Sequence, residues 1–289
     1  MDKKRIVITG LGVVASNGNN VPEFWNALIS GKSGLARITN FDPEGYRTQI
    51  AGEVKNFETE KYFDAKEAKK LDRFCHFAVA AADEAVAQAK LADSGIDPTR
   101  IGVLIGSGIG GLLTLEEEIT KLNAKGPRRV SPLLIPKMIA DMSAGCVSIR
   151  HGFQGPNYTA VSACASGTHS IGEAYWTIQR GDADVMVCGG AEAAITPVGI
   201  AGFASMKAMS ARNDDPVTTS RPFDAERDGF VMAEGGGVLI LETLESAEAR
   251  GAEIIAEFIG YGSSADASHI TAPASDGNGA ARAIKMALK

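Results

Sequence analysis

The residue best suited to covalent chemistry in this sequence is Cys164, which lies in a run of small residues. Residues 162–167 read Ser-Ala-Cys-Ala-Ser-Gly, so a substrate could approach the sulfur closely. Residues 158–161 have the β-branched and aromatic content of a short buried strand. Residues 170–180 show helical spacing, with an apolar face made of Ile171, Ala174, Tyr175 and Ile178. The pattern therefore predicts that Cys164 lies at a strand-to-helix turn.

A sulfur at the start of a helix can act as a nucleophile, because the first N–H groups of the helix favour a negatively charged atom. Its attack on a thioester carbonyl would form an oxyanion that backbone N–H groups can hold, which suits acyl transfer. The alternative is that Cys164 is one more small buried residue, since free cysteines are usually buried and inert.

The segment 155–171 reads Gly-Pro-Asn-Tyr-Thr-Ala-Val-Ser-Ala-Cys-Ala-Ser-Gly-Thr-His-Ser-Ile. It resembles, position for position, the active-site signature of the β-ketoacyl synthases, which are condensing enzymes of the thiolase superfamily. The resemblance implies an acyltransferase of fatty-acid elongation in which Cys164 takes an acyl chain from acyl carrier protein. A malonyl unit on a second carrier then condenses with that chain and loses carbon dioxide. The resemblance also implies a homodimer that pairs near Cys164, with no metal and no cofactor.

Composition and charge fit a globular enzyme. The chain has 289 residues, of which 45% are hydrophobic, enough for a large core or two smaller ones. A formal net charge of −6 argues against general nucleic-acid binding. The first residues lead into only a short apolar strand, which predicts neither a signal peptide nor a membrane span. Four cysteines without paired or metal-ligand spacing favour a reducing compartment, and we expect the cytoplasm.

Strands and helices alternate along the chain, which is typical of α/β proteins. Hydrophobic runs predict strands at residues 5–9, 101–105, 183–188 and 237–242, and apolar spacing predicts helices at 21–30, 64–92 and 246–250. Residues 205–215 resemble an active-site loop. The family resemblance implies a thiolase-like layered α-β-α-β-α fold built from two similar βαβ halves.

Two segments of the sequence are similar to each other. Residues 6–12 and 256–262 both read as a strand followed by Gly-x-Gly, which indicates an internal duplication. We therefore expect an N-terminal half at residues 1–252 that carries the nucleophile. Residues 253–289 would begin a C-terminal half that is incomplete in this sequence.

In the family that the chain resembles, the later half supplies two histidines, in His-Gly-Thr and Gly-His motifs, and a lysine. Neither motif occurs here, and the four histidines are His76, His151, His169 and His269. Two alternatives therefore stay open beside an active synthase. One is a catalytically incomplete fragment or non-catalytic partner subunit, and the other is a thiolase that acts on coenzyme A thioesters.

Further residues gain roles from the resemblance. The loop at residues 105–111 matches the family's acyl-channel loop, in which Ile109 would be a gate. The alternative is a phosphate-binding loop, but the glycines of residues 105–111 do not have the spacing of such loops. Phe203 matches the floor of the acyl pocket, although it could be plain core. His269 and Thr271 lie in a polar loop that matches one near that pocket. His169 follows Cys164 on the same helix, and we expect it to point elsewhere.

The predicted helix at 64–92 begins with a basic face. Its cations have i, i+3, i+4 and i+7 spacing, and they are Lys66, Lys69, Lys70 and Arg73. On an acidic protein such a patch suits docking of an acidic carrier protein, and the resemblance implies the same use. A solvated helix face is the alternative.

A cluster of carboxylates near residue 230 could be mistaken for a metal site. It comprises Asp224, Glu226, Asp228 and Glu234. No His or Cys accompanies these residues, so we expect them to form buried ion pairs with Arg221 and Arg227 below the active site.

Overall fold

A computed structural model describes residues 3–289 of the chain. Helices and strands alternate through most of this length, as the sequence predicts. The strands are β1 (Ile6–Ala15), β2 (Ala36–Arg37), β3 (Ile50–Ala51), β4 (Ile101–Gly106), β5 (Asn157–Tyr158), β6 (Val185–Glu192), β7 (Gly235–Thr243) and β8 (Ala256–Glu257). The helices are α1 (Val21–Ile29), α2 (Ala65–Ala68), α3 (Arg73–Gln88), α4 (Leu112–Lys125), α5 (Leu134–Met138), α6 (Met142–His151), α7 (Ser166–Arg180), α8 (Pro197–Ser205), α9 (Pro216–Thr219), α10 (Leu244–Ala249) and α11 (Asn278–Ala287).

A mixed six-stranded sheet forms the centre of the molecule, in the order β5-β4-β6-β7-β1-β8. Strand β4 runs parallel to β5 and β6, whereas β7 is antiparallel to both of its neighbours. All six residues of β4 are buried, because helices cover both faces of the sheet. A separate two-stranded sheet pairs β2 with β3.

The helices form a layer on each side of this sheet. On one face, α3 and α6 build a core around Phe74 and Phe77, which are fully buried. On the other face, α7 packs on β4 and β6 through Tyr175 and Ile178. The helix that follows Cys164 is therefore supported by the central strands. Within residues 3–289, no helix combines the length and the apolar character that crossing a membrane requires.

The prediction of one long helix at residues 64–92 is wrong, because the structure has two helices in this range. The first, α2, begins after Asp64, whose carboxylate accepts hydrogen bonds from two N–H groups of its first turn. The chain is extended at Asp72, and α3 starts at the next residue. The buried carboxylate of Asp72 accepts hydrogen bonds from the Thr114 N–H at 3.1 Å and hydroxyl at 2.6 Å. This distant contact fixes the break, which local helical spacing could not reveal.

The Gly-x-Gly segments have matching surroundings, although the first lies inside β1 and not after a strand as predicted. A Cβ atom at Gly10 or Gly12 would overlap the carbonyl oxygens of Ala85 and Ala81 in α3, respectively. A Cβ atom at Gly260 or Gly262 would likewise overlap the carbonyl oxygens of Ala287 and Ala283 in α11. In both places, the missing side chains let a helix backbone rest on the strand segment.

An ion pair joins the starts of parallel strands β4 and β6, and it should make stability depend on pH. Arg100 Nη2 lies 2.8 Å from Asp184 Oδ1, and this hydrogen-bonded pairing lowers the pKa of Asp184. The unfolded chain therefore binds more protons in acid, so the pair's contribution is present above about pH 4 and is lost as the pH falls through the folded pKa. Because both side chains are over a third exposed, we expect Arg100→Met to cost about 1 kcal/mol or less at neutral pH.

Thermal unfolding of wild type and Arg100→Met across this range measures the effect. The difference in Tm should shrink as the pH falls below the ordinary Asp value of about 4. A difference that stays constant into acid would show that Arg100 acts through packing alone.

Candidate active site

Cys164 is exposed and lies in a 3₁₀ turn, Ala163–Ala165, immediately before α7. The strand-to-helix position predicted for it is confirmed in outline. The short buried strand predicted at residues 158–161 is wrong, because β5 ends at Tyr158, both of its residues are exposed, and the residues between it and Cys164 are irregular. The exposure contradicts the alternative that Cys164 is a buried core residue. Its sulfur is accessible at the N-terminal end of a helix of 15 residues.

The residue before Cys164 holds an unusual backbone conformation. Ala163 has φ = 50°, a left-handed value that residues with a side chain rarely adopt. The buried Ser166 hydroxyl spans this turn: it accepts a hydrogen bond from the Ser162 N–H at 2.9 Å and donates one to the Ala163 carbonyl at 2.7 Å. Ser166 therefore stabilises the turn that presents the sulfur.

A histidine also contacts this turn, which the sequence reasoning missed. The Nδ1 atom of His169 lies 2.5 Å from the Ser162 hydroxyl, two residues before Cys164. The expectation that His169 points away from this region is therefore wrong. One turn of helix separates His169 from Ser166, and that spacing was the signal available in the sequence.

Three backbone segments meet at the residues that flank Cys164 because glycines line these segments. A Cβ atom at Gly106 would overlap the Ser166 carbonyl, and one at Gly108 would lie 3.2 Å from the Ala163 carbonyl oxygen. A Cβ atom at Gly190 would lie 2.9 Å from the Gly167 Cα atom. The loop after β4, the end of β6 and the nucleophile turn are therefore packed backbone to backbone, which explains the glycines without a phosphate ligand.

The carboxylate of Glu192, at the end of β6, binds the loop after β4. Its Oε2 atom accepts hydrogen bonds from the N–H groups of Gly108 at 2.7 Å and Ile109 at 3.0 Å. Its Oε1 atom accepts one from the Ser107 hydroxyl at 3.1 Å. Burial raises the pKa of Glu192, and the hydrogen bonds from this loop oppose that rise. Nothing in the sequence pattern indicated this contact.

The predicted acyl-contacting residues Ile109 and Phe203 lie on neighbouring elements. The Ile109 side chain is 43% exposed on the glycine loop next to the Cys164 turn. Phe203 is half-buried in α8, in a cluster that includes Leu112 at the start of α4, and its ring meets Phe230 edge to face at 5.7 Å. These contacts form an apolar region around the glycine loop, while an acyl-binding role stays a prediction.

His269 and Thr271 lie on an exposed segment between β8 and α11. The Nδ1 atom of His269 accepts hydrogen bonds from the N–H groups of Thr271 at 3.1 Å and Ala272 at 3.0 Å. These bonds shape a local turn, and contact with an acyl chain stays a prediction. Two other histidines have structural contacts: His76 Nε2 lies 3.0 Å from the Ala68 carbonyl oxygen, and His151 Nε2 lies 2.9 Å from Asp83 Oδ1.

The basic patch needs one correction. Lys66, Lys69 and Lys70 are exposed, and among residues 3–289 none of the three has a carboxylate within 4.0 Å. Arg73 begins a different helix, and its guanidinium is bound to the buried carboxylate of Glu234 at 2.8 Å. Arg73 is therefore paired with a buried carboxylate, and its charge is not available to bind a carrier protein. The patch is reduced to its three lysines.

The carboxylates near residue 230 do not form the predicted buried ion pairs. Asp224 pairs with Arg221 at 3.0 Å, but both side chains are about one-third exposed. Asp228 accepts hydrogen bonds from the Ser210 hydroxyl at 2.5 Å and the Ala211 N–H at 3.0 Å, which lower its pKa. The one carboxylate of the group that is buried, Glu234, pairs with Arg73 instead. The predicted partner Arg221 is therefore correct for Asp224, although that pair is not buried, whereas the partner of Glu234 is a distant arginine.

Comparison with known proteins places the chain in a family. A family described as "Beta-ketoacyl synthase, N-terminal domain" matches residues 3–247. The chain is 53% identical to a 3-oxoacyl-[acyl-carrier-protein] synthase 2 from Synechocystis sp., over 100% of this chain and 70% of that protein. It is 52% identical to the protein of the same name from Staphylococcus aureus, over 99% of this chain and 69% of that protein.

Solved structures agree with the family model. A β-ketoacyl synthase from Burkholderia phymatum has a TM-score of 0.89 at 36% identity, over 99% of this chain and 70% of that one. A ketosynthase in complex with a type II PKS acyl-carrier protein has a TM-score of 0.88 at 35% identity, over the same shares of the two chains. These likenesses confirm the thiolase-like α/β fold that segment 155–171 predicts. The chain belongs to the β-ketoacyl synthase family.

Proposed function

We propose that this protein is a β-ketoacyl-[acyl carrier protein] synthase of fatty-acid elongation, with Cys164 as the acyl-accepting nucleophile. The observation that carries the proposal is the exposed sulfur of Cys164 on a strained turn at the start of α7. Support also comes from relatives above 50% identity that are named 3-oxoacyl-[acyl-carrier-protein] synthase 2.

The first step is transfer of an acyl group between two thiols. The Cys164 sulfur attacks the thioester carbonyl of the acyl carrier, and a new carbon–sulfur bond forms. The bond between that carbon and the carrier's sulfur breaks, and the carrier leaves as a thiol with the proton that Cys164 gives up. The small residues around Cys164 leave room for the carbonyl, and the helix N-terminus favours the negative charge that develops.

In the second step, malonyl on another carrier loses carbon dioxide, and the resulting enolate carbon attacks the acyl carbonyl on Cys164. The new carbon–carbon bond displaces the Cys164 sulfur as a thiolate, which can take a proton from water to restore the thiol for the next cycle. Hydrogen-bond donors to the malonyl carbonyl would stabilise the enolate.

The three exposed lysines Lys66, Lys69 and Lys70 support an acidic carrier protein as the partner, because the whole chain is acidic and this patch is not. We also propose a homodimer. Strand β5 is an edge of the central sheet. Tyr158 in this strand and Val161 after it are 39% and 62% exposed, so a second copy could extend the sheet there.

Two further proposals concern organisation and location. The matching Gly-x-Gly contacts support a division into an N-terminal half at residues 1–252 and the start of a second half at residues 253–289. The four free cysteines support a reducing compartment, the cytoplasm.

Acyl loading tests the proposed function. The protein should gain the mass of one acyl group when it is mixed with an acyl-loaded carrier protein, and intact-protein mass spectrometry measures the rate. Reversing the charge of the three lysines together (Lys66→Glu, Lys69→Glu and Lys70→Glu) should slow loading from the carrier protein about tenfold, because electrostatic steering of the acidic carrier is lost. Loading from the corresponding acyl-coenzyme A should change little.

Lys285→Glu, which reverses an exposed charge on α11, is the matched control and should leave carrier loading unchanged. Loading that is faster from acyl-coenzyme A than from the acyl carrier protein, and that the three lysine substitutions do not change, would favour a thiolase-type enzyme. No loading from either donor would contradict acyl transfer by this chain.

A further inference from the structure

Glu192 is a half-buried carboxylate that lies outside every ion pair of the described residues. Among residues 3–289, no Lys, Arg or His nitrogen lies within 4.0 Å of it. A buried charge without a partner is costly, so its donors have to offset that cost. The three hydrogen bonds described above all come from consecutive residues of one loop, Ser107 to Ile109. The carboxylate is therefore specialised for holding this loop.

The backbone of Glu192 is itself fixed. It ends β6 and pairs with Gly235 at the start of β7, so the carboxylate extends from the ordered sheet. The contact also continues through the loop, because the Ser107 hydroxyl that donates to Glu192 accepts a hydrogen bond from the Gly110 N–H at 3.1 Å. One side chain that extends from the sheet thus holds residues 107–110 through direct and relayed hydrogen bonds.

The held loop lies against the nucleophile turn. The Cβ position of Gly108 is 2.9 Å from Glu192 Oε2 and 3.2 Å from the Ala163 carbonyl oxygen, so the loop backbone fits between the carboxylate and the residue before Cys164. The next residue, Ile109, presents a partly exposed apolar side chain there. A shift of this loop would therefore change the space available beside the sulfur.

We propose that Glu192 is a positioning residue that sets which acyl chains Cys164 accepts, by clamping the 107–110 loop beside the sulfur. This inference rests on the proposed function. A short acyl group needs only the room at the sulfur. A long one also has to pass or contact the loop, so its binding depends on the position of the loop.

Loading of Cys164 from acetyl, butyryl, octanoyl and dodecanoyl carriers tests the proposal. In Glu192→Ala, the kcat/KM for loading from the acetyl carrier should stay within about twofold of wild type. The kcat/KM for the octanoyl carrier divided by that for the acetyl carrier should fall about tenfold, mainly because KM for the octanoyl carrier rises. Glu192→Gln keeps an oxygen that can accept from Gly108 and Ile109, so it should restore most of the ratio. Hydrogen exchange at the Gly108 and Ile109 amides should speed up in Glu192→Ala and not in Glu192→Gln.

Glu118→Ala is a matched control. Glu118 is a buried carboxylate of α4 that accepts a hydrogen bond from the Ser131 N–H at 2.7 Å, so its loss should lower stability without changing the chain-length ratio. If Glu192→Ala fails to fold, Ser107→Ala removes one bond of the clamp and should shift the ratio in the same direction by a smaller factor.

Three results would overturn the inference. An unchanged ratio in folded Glu192→Ala would show that the loop does not sort acyl chains. An equal fall in kcat/KM for all acyl chain lengths in Glu192→Ala, together with a lowered Tm, would show that Glu192 only stabilises the fold. No loading of wild type by any donor would overturn the proposed function as well, and this outcome is distinct from the other two.

Discussion

Replacing Cys164 with alanine should abolish acyl loading while leaving the fold intact. The sulfur is the only atom of this turn that is proposed to bond to the acyl carbon, so the rate should fall by at least about a thousandfold. Because the Cys164 side chain is exposed, its loss should change the free energy of unfolding by no more than about 0.5 kcal/mol. Intact-protein mass spectrometry and thermal unfolding measure the two effects.

Two of the three other cysteines, Cys188 and Cys75, provide an internal control for this prediction. Cys188 is fully buried, and burial raises the pKa of its thiol. Cys75 is buried too, and the neighbouring Cys146 thiol together with burial raises the pKa of Cys75. A thiol reagent should therefore modify Cys164 well before these two. Continued acylation of Cys164→Ala at wild-type rate, or protection of Cys164 from the reagent, would contradict its role as the nucleophile.

Breaking the pair between Arg73 and Glu234 should cause a large loss of stability. The Glu234 side chain is 1% exposed, and it also accepts a hydrogen bond from the Val54 N–H at 3.0 Å. Arg73 in turn donates to the Val54 carbonyl at 3.2 Å and stacks over Phe77 at 4.8 Å. In Arg73→Met, the carboxylate stays buried without its partner, which should cost about 3–5 kcal/mol. Urea unfolding measures the change.

A double variant distinguishes the loss of the ion pair from the loss of packing. Arg73→Met combined with Glu234→Leu removes both charges, so it should be more stable than Arg73→Met alone. Lys69→Met, which alters an exposed cation nearby, should change stability by no more than about 0.5 kcal/mol. A double variant as unstable as Arg73→Met would mean that the unpaired charge is not the cause.

Local sequence patterns predicted the elements near Cys164 well, because the information is local there. The apolar run that became β4 and the helical spacing that became α7 each reflect burial against the adjoining layer. The resemblance of segment 155–171 supplied the family and the thiolase-like fold, which composition alone could not.

Contacts between distant residues were not predictable in the same way. The break before α3 depends on Asp72 reaching Thr114, which is 42 positions away. The partner of Glu234 is 161 positions away, whereas the sequence reasoning had chosen neighbouring arginines. The Glu192 clamp bridges 83 to 85 positions. Each of these side chains is polar, and no periodicity records which distant group a polar side chain will meet.

The glycines in β1 and after β8 have a consequence for how this protein can vary. At each of the four positions, a helix carbonyl occupies the place of the missing side chain, so the fit depends on main-chain atoms of α3 and α11. Main-chain atoms are the same in every amino acid. The contact of the helix carbonyl with each glycine is therefore independent of the side chain that the helix residue carries, whereas a side chain at any of the four glycines would collide with the helix backbone. Similarity between the segments 6–12 and 256–262 should thus survive longest at these four glycines.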